Sequence, residues 1–204
     1  MMHAEAEAAL SKRCAVMRRL IRAHGPCGLE IKKRSPYEAL VNAVAHQQLH
    51  ANAAAAILKR FQALFPGSRF PSPAQVLGAG DEQLRGCGFS MGKMLAVRDI
   101  AAKTLSGQVP GRAAALKLSD EEIIERLVQV RGVGRWTVEM LLIFTLGRPD
   151  VFPSDDYGVR NGWRIANGLE EMPKPREFRA LAERWQPHRT LAAWYLWRAA
   201  DAGK

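Results

Sequence analysis

The sequence predicts an all-α protein. Apolar residues recur at three- and four-residue spacing along most of the chain, Gly and Pro interrupt these runs at intervals that suit short helices, and no stretch alternates as a half-buried strand does. Residues 4–24, with Glu5, Glu7 and several basic residues among alanines, read as an amphipathic helix. Ser35-Pro36 supplies an N-cap and a first-turn proline for a helix through Leu40, Val41, Val44 and Ala45, ending at His46-Gln47-Gln48-Leu49-His50. A further helix covers about Ala51 to Leu64, and the Pro- and Gly-rich stretch 66–73 is a connector. Short helical pieces lead to Gly86-Cys87-Gly88-Phe89-Ser90, then a longer helix runs from about Ser90 to Leu105. Residues 110–117 link to Ser119, which with Glu122 forms a capping box ahead of Ile123, Ile124, Leu127, Val128 and Val130. After Gly132 and Gly134, Arg135 opens a second run with Trp136, Met140, Leu141 and Phe144, closed by Gly147 and Pro149. Beyond Asp156 come a helix to about Asn167 and two closing helices from about Arg176.

The helix–Gly–Val–Gly–helix segment carries its own chemistry. The first amides of a helix lack intrahelical partners, and the axial dipole adds partial positive charge there. With no side chain at Gly132 or Gly134, a phosphate can approach the backbone closely. Such a helix-hairpin-helix suits a phosphodiester and reads no base. The charge balance agrees: 30 Lys and Arg against 20 Asp and Glu give a formal +10, the footprint of a polyanion's partner. Its 204 residues allow one domain or two small lobes sharing a cleft, and 48% hydrophobic content is ample for a core.

Composition also excludes classes. Cys14, Cys27 and Cys87 are odd in number and far apart, which argues against a disulfide framework or a Cys-ligated iron–sulfur centre and for a reducing compartment. The longest clearly apolar stretch, Met140 to Leu146, falls far short of the roughly 20 residues that cross a bilayer. Residues 4–24 also lack the apolar core of a secretory signal, so the expectation is a soluble cytoplasmic protein with no membrane partner.

Four motifs occur together and in order: HQQLH, GFSxxK, LxxxxGxGRWT and VFPSDDY. In that combination, from about Pro36 to Arg198, the chain resembles the DNA-3-methyladenine glycosylase II family of the helix-hairpin-helix DNA glycosylases. The resemblance implies two helical lobes with an active-site cleft between them, lobe one about 36–117 and lobe two about 1–35 plus 118–204, the hairpin motif lying at about 119–147. With 35 residues ahead of Pro36, it is to the minimal form without an N-terminal β-domain. It further implies a monomeric, nucleoid-associated, bacterial-type enzyme of base excision repair. That enzyme flips an alkylated base out of double-stranded DNA and hydrolyses its N-glycosidic bond without an organic cofactor.

The same resemblance assigns roles. Asp156, the second of the paired acids, is the catalytic carboxylate, with Asp155 its neighbour; an Asp ahead of a helix is also a common N-cap, and the two roles are compatible. Trp136, Tyr157 and Trp197 form an aromatic base pocket, and Met140 stands where some relatives carry an aromatic residue. Apart from the resemblance, Trp163, Trp185 and Trp194 are read as core, where an isolated helical tryptophan more often lies. Trp136 occupies the position of the Schiff-base lysine of bifunctional relatives, which implies a monofunctional enzyme. Leu49 is the wedge that fills the gap left by the flipped nucleotide, with His50 and Gln48 beside it at the minor groove. Gly132, Gly134 and Arg135 offer backbone amides to phosphate, and the carbonyls of Val128, Val130 and Val133 are candidates to hold a Na or K ion. Lys93 is open between a structural and a phosphate-facing role. The rival readings are a non-catalytic DNA-binding module, which leaves Asp156 unexplained, and a glycosylase with abasic-site lyase activity, which wants a lysine at Trp136.

Overall fold

The computed structural model describes residues 3–203, and every regular element in them is helical. The chain divides into two compact units. The central unit, Lys32–Leu141, contains α3 (Pro36–His46), α4 (Ala51–Ala63), α5 (Pro73–Gly78), α6 (Asp81–Gly86), α7 (Met91–Leu105), α8 (Arg112–Ala115), α9 (Asp120–Leu127) and α10 (Arg135–Leu141). The terminal unit joins α1 (Ala4–Arg13) and α2 (Ala15–His24) to a π-helical turn (Leu142–Leu146), α11 (Tyr157–Asn167), α12 (Pro175–Ala182), a 3-10 turn (Glu183–Trp185) and α13 (Arg189–Ala202). No helix of the described residues is long and apolar enough to cross a membrane.

In the central unit the start signals behave as their chemistry requires. Ser35 Oγ accepts from Glu38 N at 3.1 Å with Pro36 in the first turn, and Ser119 and Glu122 complete a reciprocal capping box ahead of α9. Phe61 is the hub of the aromatic packing, meeting Phe65, Phe70 and Phe89 edge-on with centroids 5.9, 5.9 and 5.4 Å away. Leu40, Val44, Leu84, Met94, Val97, Ile123, Leu127 and Val138 are fully buried in the same unit.

The single helix expected over residues 4–24 is broken at Cys14, whose backbone is extended (φ −147°, ψ 117°). The break lets α1 and α2 fold against each other while both reach α13, which one straight helix could not do. In that terminal unit Leu10, Met17, Phe178, Trp185 and Tyr195 are buried in one core. Tyr195 donates its hydroxyl to Glu7 Oε1 at 2.8 Å, and Cys27 N donates to the same oxygen at 2.8 Å, which pins the segment after α2.

The expected lobe boundaries shift. Helices α9 and α10 of the hairpin belong with residues 32–118 and not with the termini, because α10 packs on α3 and α9 and Gly132 lies against Ala96 of α7. The division falls at Leu142, inside the apolar run that periodicity reads as one helix, where α10 gives way to the π turn.

Candidate functional site

In the central unit two loops present the features expected of a nucleic-acid interface. Gly132 has φ +73°, a left-handed value that a side-chain-bearing residue rarely adopts, and a Cβ there would stand 3.1 Å from Ala96 Cβ. A Cβ on Gly134 would meet nothing within 4 Å, so the backbone at the start of α10 is open to a partner. The Arg135 guanidinium has other duties: it is forked onto Glu121 at 3.0 and 3.0 Å and reaches Glu139 Oε1 at 3.2 Å. The hydrogen bonds to Glu121 hold its pKa above the ordinary range. What Arg135 can offer a phosphate is therefore its amide. Of the three carbonyls weighed for an ion, that of Val130 already accepts from Val133 N at 3.0 Å.

The second loop is the turn Gln47 to His50 between α3 and α4. Leu49 is 40% exposed although strongly apolar, and His50, the N-cap of α4, is exposed as well. Gln48 has φ +56°, the one positive value on a non-glycine among the described residues. Gln47 ties this turn to the hairpin, donating Nε2–H to the Gly132 carbonyl at 2.9 Å. Lys93 is turned inward, its Nζ donating to the carbonyls of Ala45 at 2.9 Å and Gln47 at 2.7 Å, which decides the open question in favour of a structural role.

In the terminal unit the loop from Asp150 to Asp156 is fastened at several points. Arg189 grips the Asp150 carboxylate at 2.9 and 3.0 Å, and Thr190 Oγ1 accepts from Val151 N at 2.9 Å. Arg179 donates to the buried Ser154 Oγ at 3.1 and 3.3 Å, and Phe152 packs edge-on against Phe178 and Trp185. The loop delivers Asp156 to the N-terminus of α11, where its Oδ1 accepts from Val159 N at 2.8 Å. The same oxygen accepts from Trp197 Nε1 at 2.8 Å. Two N–H donors on one oxygen fix the plane of the carboxylate. Behind it, the Trp197 ring lies tilted over Phe144 with centroids 5.5 Å apart.

The structure thus brings Asp156 and Trp197 together, whereas Tyr157, next in the chain to Asp156, is largely exposed. Tyr157 is 68% exposed and, among the described residues, makes no ring contact with the Phe144–Trp197 pair. Trp136, 44% exposed, and the half-buried Met140 lie one helical turn apart on α10 of the central unit. Trp163 and Trp185 are core as expected, and Trp194 is half-buried against Tyr195.

Sequence reasoning missed Phe144, which periodicity had placed only as an apolar helix position, and it missed Gly158 and Gly162. These glycines, four apart on α11, clear the path for α13: a Cβ at Gly158 would stand 2.8 Å from Trp197 Cδ1, and one at Gly162 only 1.9 Å from the Leu196 carbonyl oxygen. The spacing in Gly158-Val159-Arg160-Asn161-Gly162 was the available signal.

Comparison with known proteins agrees with this arrangement. Residues 41–188 match the family described as HhH-GPD superfamily base excision DNA repair protein. DNA-3-methyladenine glycosylase 1 of Schizosaccharomyces pombe is 46% identical over 170 residues, 83% of this chain and 75% of the relative. The solved structure of the Schizosaccharomyces pombe 3-methyladenine DNA glycosylase Mag1 in complex with abasic DNA superposes with a TM-score of 0.86 at 44% identity, covering 95% of each chain. That of a DNA-3-methyladenine glycosidase from Bacillus halodurans gives 0.84 at 30% identity, covering 94% of this chain and 87% of the other. With its all-helical architecture, its glycine hairpin and an aspartate fixed at a helix N-terminus, the chain belongs to the HhH-GPD superfamily of base excision DNA repair proteins.

Proposed function

We propose that this protein is a monofunctional DNA glycosylase that releases alkylated purines from double-stranded DNA. The observation that carries the reading is the Asp156 carboxylate, held on one oxygen by Val159 N and Trp197 Nε1 beside the Phe144 ring. Breaking the N-glycosidic bond sends its electron pair to the departing base and leaves positive charge on the deoxyribose. A preorganised carboxylate stabilises that charge, and water then attacks C1′ and releases a proton to the carboxylate or to solvent, giving an abasic site. An N3- or N7-alkylated purine is cationic and leaves readily as the neutral base, so for these lesions no protonating acid is required.

The remaining residues divide the work of presenting the base. The backbone at Gly132, Gly134 and Arg135 takes phosphate, Leu49 fills the stack when the nucleotide flips, and Gln48 and His50 border the minor groove. The carbonyls of Val128, Val130 and Val133 are neutral oxygen donors suited to a monovalent Na or K ion, which would lend positive charge toward the phosphate. Trp197 on the terminal unit and Trp136 on the central unit each offer a ring to an electron-poor base, Tyr157 flanks the acid, and Met140 tunes which lesions are accepted, among 3-methyladenine, 7-methylguanine, 3-methylguanine, hypoxanthine and etheno adducts. With Trp136 where a lyase carries its lysine, the product strand stays intact. The protein acts as a monomer in the compartment that holds the genome.

Incubation with methylated duplex DNA and chromatography of the released bases tests this. Wild type should release methylpurines and folded Asp156→Asn should not, and strands should break only after alkali. Tight DNA binding with no release from any alkylated duplex would turn the reading to a binding module.

A further inference from the structure

One face of α7 carries Lys93, Ala96, Asp99 and Lys103, spaced three, three and four apart, and each meets one of the two loops described above. Lys93 Nζ donates to the carbonyls of Ala45 and Gln47. Ala96 Cβ lies where Gly132 leaves no room for a side chain. Asp99 Oδ2 accepts from Arg131 N at 2.7 Å, and Lys103 Nζ donates to the Gln129 carbonyl while pairing with Asp99 at 2.9 Å. Gln47 closes the circuit through its bond to the Gly132 carbonyl. The two loops are thus held to each other through α7 and Gln47 as well as by their own local bonds.

The turn needs this support. A left-handed glutamine is strained and persists only where the surroundings over-determine it. The local bonds, Gln47 N to Val44 O at 3.3 Å and Leu49 N to His46 O at 3.2 Å, are long. The bonds from Lys93 are short and charge-assisted, and one falls on the residue immediately before the strained one. Partial burial also holds the Lys93 pKa below its ordinary range.

We infer that Lys93 is a positioning residue for lesion recognition: from α7 it fixes the Gln47 to His50 turn against the glycine hairpin, so that Leu49 is held at a set distance from the phosphate-binding backbone. The lysine touches no DNA itself. Its removal frees Gln48 to relax and lets Leu49 wander, which weakens the discrimination between a gapped and an intact stack and leaves general attraction to duplex DNA unchanged. The inference rests on the wedge role proposed for Leu49.

The test is a double-mutant cycle on the full chain, with Lys93→Met, Leu49→Ala and the double variant. Affinity is measured for an undamaged duplex and for the same duplex carrying a tetrahydrofuran abasic analogue, with 2-aminopurine beside the site reporting stacking, and circular dichroism melting records folding. Each single variant should lose about tenfold in preference for the abasic duplex, Lys93→Met should keep its affinity for undamaged DNA within about twofold of wild type, and the double variant should lose no more than Leu49→Ala alone. Should Lys93→Met lose its cooperative melt, Lys93→Gln, which keeps one donor, carries the same prediction at smaller size. A folded lysine variant with wild-type preference, or losses that multiply in the double variant, overturns the inference while the wedge reading stands. Leu49→Ala with wild-type preference overturns both.

Discussion

Replacing Gly158 by Ala should damage the chemistry more than the fold. A Cβ at that position would stand 2.8 Å from Trp197 Cδ1 and 3.2 Å from both Trp197 Nε1 and Asp156 Oδ1. Comfortable carbon–carbon contact begins near 3.5 Å, so the indole must retreat by about 0.7 Å or more. That retreat stretches the 2.8 Å bond from Nε1 to Oδ1 to the edge of hydrogen-bonding distance. A hydrogen bond to a charged group contributes about 1.5–3 kcal/mol, which sets the loss in base-release rate at about 10- to 100-fold if the bond is what orients the carboxylate. Stability changes less, because overpacking costs about 1–3 kcal/mol and alanine returns about 0.5–1 kcal/mol of helix propensity.

Gly162→Ala makes the contrast, since its Cβ would fall 1.9 Å from the Leu196 carbonyl oxygen and 2.6 Å from the carbonyl carbon. Backbone cannot yield as an indole can, so α11 and α13 must part, and the loss falls on folding at about 3 kcal/mol or more. Single-turnover release of methylpurines alongside calorimetric melting separates the two. A Gly158→Ala protein that melts near wild type and keeps the wild-type rate would refute the idea that Trp197 orients the acid.

Trp197→Phe keeps a ring over Phe144 and deletes the N–H, so single-turnover release should fall about tenfold or more, and adding Gly158→Ala should cost little further because both changes remove one bond. Arg135→Gln should leave the slope of binding affinity against salt concentration unchanged, because Glu121 and Glu139 already occupy the guanidinium; a slope reduced by about one ion would show that the side chain reaches phosphate. The Cys27 thiol is pushed up to about 11 from 9.0 by burial, the Glu7 charge adding to the effect. The unfolded thiol therefore ionises first, and stability present below pH 9 is lost as pH rises toward about 11; Cys27→Ala should flatten that part of a melting-temperature profile against pH.

What the sequence disclosed divides by range. Ser35, Ser119 and Glu122 state their roles within four residues, and Gly132 declares its turn because few residues tolerate its φ, so the caps and the hairpin were legible. The break at Cys14 and the unit boundary at Leu142 were not, because residue type there permits a continuous helix and only packing against α13 and α3 decides otherwise. Lys93 illustrates the limit most clearly. A lysine after a glycine-rich segment in a chain of charge +10 is a natural phosphate ligand, and only the position of two carbonyls more than forty residues upstream turns it inward.

For Asp156 the sequence left two roles side by side, helix N-cap and catalytic acid, and the geometry lets one oxygen serve both. Oδ1 takes the Val159 amide as any capping aspartate would, then takes Trp197 Nε1 as well. With that oxygen fixed by two donors and the group planar, the direction of the second carboxylate atom is fixed too, so the cap aims the acid. This is why Asp156→Asn is the informative substitution. An asparagine carbonyl can accept from the same two donors and keep the cap, whereas Asp156→Ala forfeits about 0.5–2 kcal/mol of helix stability along with the chemistry. The amide removes the negative charge opposite a developing sugar cation and aims an NH2 group where the second oxygen was. A folded Asp156→Asn protein that melts like wild type and still releases methylpurines at the wild-type rate would leave Asp156 as a cap alone, and the stabilising charge would have to be sought elsewhere.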